Sequence, residues 1–133
     1  EQVAKNISDN LLRAALCARV NGELVDLKTP LTSDCTLEIV TYKDEDGREV
    51  YRHTASHILA QAIKNVYPAA QLAIGPATAT GFYYDVDLPF AITMDDLEAV
   101  ENEMNEIIAA DLPIEREVVT PKAAIAKMQG FGE

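Results

Sequence analysis

The sequence predicts an α+β fold made of two small units joined by a charged stretch. Residues 51–66 and 94–110 repeat apolar side chains at the i, i+3, i+4 spacing of helices that pack on a core. Shorter segments alternate apolar and polar residues or carry turn dipeptides, as strands and hairpins do. The 133 residues are 48% apolar and 25% charged, a globular composition large enough for one ordinary domain or two small ones.

The first unit is expected to combine short helices with a small sheet. Residues 1–6 are helix-compatible, polar residues at 8–10 break the pattern, and residues 11–16 resume an apolar helical turn. Residues 19–25 predict a β-hairpin, because Asn21-Gly22 suits a type I′ turn with positive φ at both central positions. Residues 37–42 alternate faces as a third strand does.

The charged, Gly-containing stretch at 43–49 is the predicted domain boundary, although a simple surface turn has the same composition. From residue 51 onward the predicted order is helix, strand, strand, helix, strand, helix, which is an α+β pattern. The predicted elements are a helix at 51–66, strands at 71–74 and 81–87, a helix at 94–110 capped by Thr93, a strand at 114–119 and a helix starting at Pro121.

The net charge of −11 argues against autonomous nucleic-acid binding. Residues 53–133 hold four basic and twelve acidic side chains, and neither residues 1–42 nor 43–52 carry a basic excess. Proteins that grip nucleic acid on their own present a basic surface. If this protein works on RNA, another part of a longer chain must therefore supply most of the affinity.

Cysteine usage and the chain's start bear on location. Cys17 and Cys35 form no CxxC pair and are too few for a disulfide framework, so we interpret Cys35, which alternates with Leu37 and Ile39, as a small buried residue. No apolar run approaches the ~20 residues of a membrane span, and no signal peptide is visible. Free thiols without an export signal favour a cytoplasmic protein. The missing initiator Met leads us to expect a start upstream.

The only two histidines, His53 and His57, are spaced i, i+4 and therefore share one side of the first long helix, away from its apolar stripe. Three interpretations remain open: an exposed pair without a role, part of a metal site that needs a third protein ligand, or a pair that positions substrate or water in a hydrolytic cleft. The stretch lacks the Glu of HExxH, which excludes that type of metalloprotease.

A second candidate lies at Gly75-Pro76 and the GFYY run at 81–84. Glycines permit close backbone approach to a ligand, and adjacent tyrosines on a strand point to opposite faces, so that one can reach a pocket. Ordinary aromatic packing explains the same run. The sequence contains no Walker A loop, GxGxxG or nucleophile elbow.

Three stretches, in order, resemble bacterial-type threonyl-tRNA synthetases. Residues 18–27 (ARVNGELVDL) are similar to the hairpin of the TGS domain. Residues 51–62 (YRHTASHILAQA) are similar to the HxxxH helix of the editing domain, and residues 74–76 with 81–87 (IGP, GFYYDVD) follow it. The HxxxH helix alone also resembles alanyl-tRNA synthetase editing domains, but the other two stretches favour the threonyl family.

The resemblance implies a TGS-like β-grasp domain at 1–43 without its first hairpin, a linker at 44–52 and the N-terminal part of a tRNA editing domain at 53–133. It places His53 and His57 on catalytic positions of the editing site, and Tyr84 and Gly75 on substrate-binding positions. No cofactor or metal is implied for this segment. ATP, Mg²⁺ and Zn²⁺ belong to the family's separate aminoacylation domain.

The implied parent is a cytoplasmic, homodimeric ligase that joins threonine to tRNA(Thr) with ATP and hydrolyses mischarged Ser-tRNA(Thr). The family's Cys-x-x-x-His motif falls beyond residue 133, and residues 78–80 lack an expected acidic residue, so we expect the segment alone to be inactive. Two alternatives stay open: a non-catalytic TGS-type binding or regulatory fragment, and a free-standing, zinc-dependent deacylase of the alanyl-editing type.

Overall fold

The computed structural model describes residues 1–130 and contains five helices and five strands in that range. They follow the order α1 Gln2–Ile7, α2 Asp9–Ala14, β1 Ala15–Val20, β2 Glu23–Val25, β3 Leu37–Thr41, α3 Glu45–Val66, β4 Gln71–Leu72, β5 Val86–Asp87, α4 Met94–Ala109 and α5 Pro121–Gly130. The predicted α+β class is confirmed. No helix in the described range has the length and hydrophobicity to cross a membrane.

The chain divides into two compact units. One unit contains Glu1–His57 and Gly75–Tyr83, and the other contains Ile58–Ile74 and the residues from Tyr84 on. Helix α3 therefore supplies residues to both. The domain limits predicted from the sequence, with a linker at 44–52, stay a prediction, but the residues from Glu45 on are helical.

The first unit is built around an antiparallel sheet with strand order β2-β1-β3. Its hairpin turns at Asn21 and Gly22, whose φ angles of 50° and 88° confirm the predicted turn with two positive φ values. The predicted helical segment at 11–16 is wrong at its end, because α2 stops at Ala14 and β1 begins at Ala15. Pairing of Ala15 with Thr41 on β3 overrides the local helical pattern there.

The first turn of α3 packs against the end of the sheet. The Arg19 guanidinium on β1 pairs with Glu38 on β3 at 2.5 Å and also with Asp46 on α3. Gly47 lies beside the backbone of Thr41. These contacts explain why the predicted helix start at residue 51 is wrong: the charged stretch that looked like a boundary is held as a helix by the sheet.

The second unit has a small core of Ala62, Ile63, Ala70 and Val100. A two-stranded sheet of β4 and β5 pairs Leu72 with Val86. Helix α4 begins as predicted, since the Thr93 hydroxyl accepts a hydrogen bond from the Asp96 amide while the Asp96 carboxylate accepts one from the Thr93 amide.

Three predicted strands differ from the structure. Of the stretch 71–74, only Gln71–Leu72 is a strand. Only Val86–Asp87 of the stretch 81–87 is a strand, although Ala77 and Phe82 form an isolated bridge. Residues 114–119 are irregular and fully on the surface, so the predicted strand there is wrong. Alternation of apolar and polar residues alone does not make a strand, because the backbone hydrogen bonds of a strand need a neighbouring strand.

The two cysteines lie in or near the first sheet. Cys17 is buried, and burial raises the pKa of its thiol, with Asp46 adding to the effect, so the thiol stays protonated and packs as a small apolar group. Cys35 is only partly buried. The interpretation of Cys35 as a buried residue is therefore only partly correct.

Candidate functional site

His53 and His57 lie against each other on the surface of α3. Their Nε2 atoms are 3.0 Å apart, and the two rings meet edge to face with centroids 4.6 Å apart. Both side chains are exposed to solvent. The helical repeat explains the contact, because side chains at i and i+4 stand one above the other. The contact itself is the geometry that the spacing predicted.

The Nε2 contact makes the two imidazoles chemically different. In a hydrogen bond between the two Nε2 atoms, one ring donates its N–H while the other accepts with a lone pair, and the tautomers decide which ring does which. A ligand or water that enters between the rings meets a donor on one side and an acceptor on the other. Such a pair can polarise a carbonyl group and accept a proton from water.

The remaining side chains of this helical segment face other surroundings. Ser56 is completely buried, and its hydroxyl donates to the carbonyl oxygen of His53 at 2.8 Å. The Thr54 hydroxyl donates to the Val50 carbonyl oxygen at 3.0 Å. Both hydroxyls thus donate to carbonyl groups of the helix backbone. The two imidazoles, in contrast, are exposed and can contact a ligand.

A metal interpretation of the pair needs a third protein ligand. No group of three or more His, Cys, Asp or Glu side chains close enough to hold an ion occurs within residues 1–130. Structural and catalytic zinc sites use at least three protein ligands. The pair could therefore contribute to a metal site only together with ligands from outside this range.

The residues that follow Gly75-Pro76 form a tight turn at 77–82, beside α3. The Thr78 amide donates to the Gly81 carbonyl oxygen at 2.8 Å, and the Gly81 amide donates to the Thr78 hydroxyl at 3.1 Å. The Arg52 guanidinium donates to the carbonyl oxygens of Thr78 and Ala79 at 3.1 and 2.7 Å. Gly75, the turn, Arg52 and the histidine pair all belong to the first unit.

A polar cavity of about 310 Å³ lies between the start of α3 and this turn. Its walls come from two arginines, two glutamates and the turn: Glu45, Arg48, Glu49, Arg52, Ala77, Thr78 and Ala79. Arg52, which lines this cavity, is not among the site residues that the sequence predicts. Arg52 directly precedes His53 in the sequence. Its hydrogen-bond partners, however, are backbone carbonyl groups, which no pattern of residue types predicts.

The two predicted substrate-binding residues differ in their surroundings. Gly75 is partly buried in the first unit, whereas Tyr84 is partly buried in the second. Tyr83 is half exposed. The structure brings His53 and His57 together and places Gly75 in the same unit, while the roles of Gly75 and Tyr84 stay predictions.

Comparison with known proteins bears on the family. Residues 1–41 match the model of the TGS domain. All 133 residues align with a threonine–tRNA ligase of Acetivibrio thermocellus at 51% identity, covering 21% of that protein. Similar ligases of Symbiobacterium thermophilum and Clostridium acetobutylicum are 52% and 50% identical over 93% and 96% of the chain, which covers 19% and 20% of their lengths.

The chain thus contains a TGS domain and resembles the N-terminal region of threonine–tRNA ligases over its whole length. The resemblance inferred from the sequence motifs is confirmed. The chain spans only about a fifth of the length of these relatives.

Proposed function

We propose that this chain is the N-terminal part of a threonine–tRNA ligase and that its histidine pair is one half of a site that hydrolyses Ser-tRNA(Thr). The identity of 51% over the entire chain supports the first part. The 3.0 Å contact between the exposed Nε2 atoms of His53 and His57 is the observation that carries the second.

The need for such a site follows from the two amino acids. Serine lacks one methyl group of threonine, and one methyl group gives a binding site only about 1–3 kcal/mol of discrimination. A ligase for threonine therefore gains accuracy from a second site that removes serine after its attachment. The second site must bring water to an ester carbonyl carbon and stabilise the negative charge that develops on the carbonyl oxygen.

The histidine pair offers complementary groups for this reaction. When the substrate ester and a water molecule separate the rings, the protonated Nε2 can donate to the ester carbonyl oxygen. The unprotonated Nε2 can accept a proton from the attacking water, and can pass it to the ribose oxygen of tRNA when the ester C–O bond breaks and serine leaves. Gly75 and Tyr84 would hold the seryl group, and further groups would come from a Cys-x-x-x-His motif later in the ligase. Threonine, ATP, Mg²⁺ and Zn²⁺ would be handled by the aminoacylation domain of the same protein.

Substitution of each histidine in the full-length ligase tests the proposal. His53→Ala and His57→Ala should slow hydrolysis of Ser-tRNA(Thr) about 10²–10⁴-fold, the usual contribution of acid–base groups, and should leave formation of Thr-tRNA(Thr) unchanged. Gln61→Ala is the matched control, because Gln61 is exposed one turn further along α3. Equal loss of both activities, or full hydrolysis by both histidine variants, would contradict the role.

A length series separates this proposal from the alternatives. Deacylation of Ser-tRNA(Thr) is compared for the 133-residue chain and for a version extended by ~100 residues, about one domain, with and without zinc. Activity confined to the extended version is the expected result. Zinc-dependent activity of the short chain would favour a deacylase of the alanyl-editing type, and inactivity of both would favour a binding or regulatory fragment.

A further inference from the structure

Arg52 connects the histidine-bearing helix to the turn at residues 77–82. It directly precedes His53 on α3, and one of its guanidinium nitrogens lies 3.1 and 2.7 Å from the carbonyl oxygens of Thr78 and Ala79. A charged donor gives hydrogen bonds stronger than those between neutral groups. The two hydrogen bonds span 26 and 27 residues of sequence, so they fix tertiary structure rather than local helix geometry.

The turn that Arg52 binds is closed by its own hydrogen bonds. Thr78 and Gly81 bond to each other through the Thr78 amide and the Thr78 hydroxyl, and Ala77 bridges to Phe82. Because these bonds tie the two sides of the turn together, a contact at its tip constrains the position of the whole turn. The segment that enters this turn begins at Gly75, a predicted substrate-binding residue.

Arg48 provides an internal comparison on the same helix. Its guanidinium donates to the carbonyl oxygen of Lys43 at 2.7 Å, and it lines the same cavity as Arg52. This hydrogen bond, however, joins the first turn of α3 to a residue just before the helix. Arg48 and Arg52 therefore make the same kind of hydrogen bond, but only Arg52 holds the turn.

We propose that Arg52 is a positioning residue of the editing site, which holds the turn at 77–82, and through it Gly75, in register with His53. This inference rests on the proposed hydrolysis of Ser-tRNA(Thr). Arg52 acts through the backbone of the turn and has no direct role in the chemistry. Loss of its hydrogen bonds lets the turn move, and this movement changes which aminoacyl groups fit the editing site. The histidines and the contact between them remain.

The test uses the ratio of hydrolysis rates for Ser-tRNA(Thr) and Thr-tRNA(Thr) by the full-length ligase. A variant that merely folds less well loses both rates in proportion, so the ratio does not change. Arg52→Gln should lower the ratio about tenfold, a part of the about 10–200-fold that one methyl group can supply. Arg52→Lys, which keeps the positive charge and N–H donors at the end of a long side chain but loses the planar guanidinium, should retain part of the ratio.

Arg48→Gln is the matched control and should keep the wild-type ratio. Hydrogen exchange provides a second readout that does not depend on activity. The amides of Thr78 and Gly81 should exchange faster in Arg52→Gln than in wild type, and at the wild-type rate in Arg48→Gln.

An unchanged ratio and unchanged exchange in Arg52→Gln, or the same changes in Arg48→Gln, would overturn the role of Arg52 while leaving the editing function standing. Wild-type ligase that leaves Ser-tRNA(Thr) intact would instead refute the proposed function, and the role of Arg52 with it.

Discussion

At Gly47, α3 lies directly against the end of β3 in the first unit. A Cβ atom at this position would lie 1.9 Å from the Thr41 carbonyl oxygen and 2.7 Å from its carbon. Both are backbone atoms, which cannot swing aside as the end of a flexible side chain would. Other residues have a higher helix propensity than glycine, so propensity does not explain a glycine within α3. The lack of space for a Cβ atom does explain it.

Gly47→Ala should therefore destabilise the protein. Overpacking typically costs about 1–3 kcal/mol, and a contact of 1.9 Å with a backbone atom belongs at the upper end of that range, which exceeds the about 1 kcal/mol that alanine gains over glycine within a helix. Urea unfolding followed by circular dichroism measures the difference as a lower midpoint. Gly130→Ala on α5 is the control, because a Cβ there meets no atom within 4 Å. A midpoint for Gly47→Ala at or above the wild-type value would show that the clash is relieved.

At the scale of single residues, the sequence predicts contacts between side chains on one helix and misses contacts to backbone. The spacing of His53 and His57 is enough to predict that they meet, because the helical repeat is fixed. The roles of Arg52 and Gly47 depend on where a turn and a strand end lie in space. These partners are backbone groups that lie elsewhere in the sequence, so no residue type marks them.

Among the elements, α4 has the best-defined start. The Thr93 side chain and the Asp96 carboxylate close a reciprocal capping box, and the Tyr67 hydroxyl donates a further hydrogen bond to the same carboxylate. Thr93→Ala should lower the free energy of unfolding by about 1 kcal/mol, the usual effect of losing an N-cap. Thr93→Ser, which keeps the hydroxyl, is the control. Equal urea midpoints for Thr93→Ala and wild type would contradict the importance of this cap.

The same carboxylate makes the stability of this element dependent on pH. Hydrogen bonds from Thr93 and Tyr67 lower the pKa of Asp96 in the folded protein. A depressed folded-state pKa contributes stability above the unfolded value of about 4, and that stability is lost as the pH falls through the lower folded-state pKa. Unfolding free energies measured between pH 6 and 2 should therefore fall more steeply in wild type than in Asp96→Asn. Parallel curves would rule out this contribution.

Elements with their own start signals were predicted, and those that depend on distant partners were not. The N-cap of α4, the Asn21-Gly22 hairpin and the start of α5 at Pro121 agree with the structure. The start of α3 was missed because Gly47 and Asp46 are held by the sheet. Residues 114–119 have a strand-like pattern but remain irregular, because pairing is a property of two segments.

At the scale of the whole chain, the net charge of −11 opposes the proposed work on tRNA. Helix α4 contains no basic residue and exposes several carboxylates, among them Glu98, Glu101 and Glu106. Phosphate groups bind lysine and arginine with release of counterions, which is why such affinity falls steeply with salt. The sequence holds 22 acidic against 11 basic side chains, so we expect most of the affinity of the proposed ligase for tRNA to arise elsewhere in the protein.

The 133-residue chain should therefore bind tRNA(Thr) more weakly than the non-specific range of about 10⁻⁴–10⁻⁶ M at physiological salt. Raising the salt from 50 to 200 mM should not weaken any residual binding, because screening reduces the repulsion between the acidic chain and RNA. Fluorescence anisotropy of labelled tRNA measures both, with the full-length ligase as the positive control. Micromolar binding that falls steeply with salt would instead reveal a local cationic surface, and this chain would then contribute directly to holding the tRNA whose ester His53 and His57 are proposed to hydrolyse.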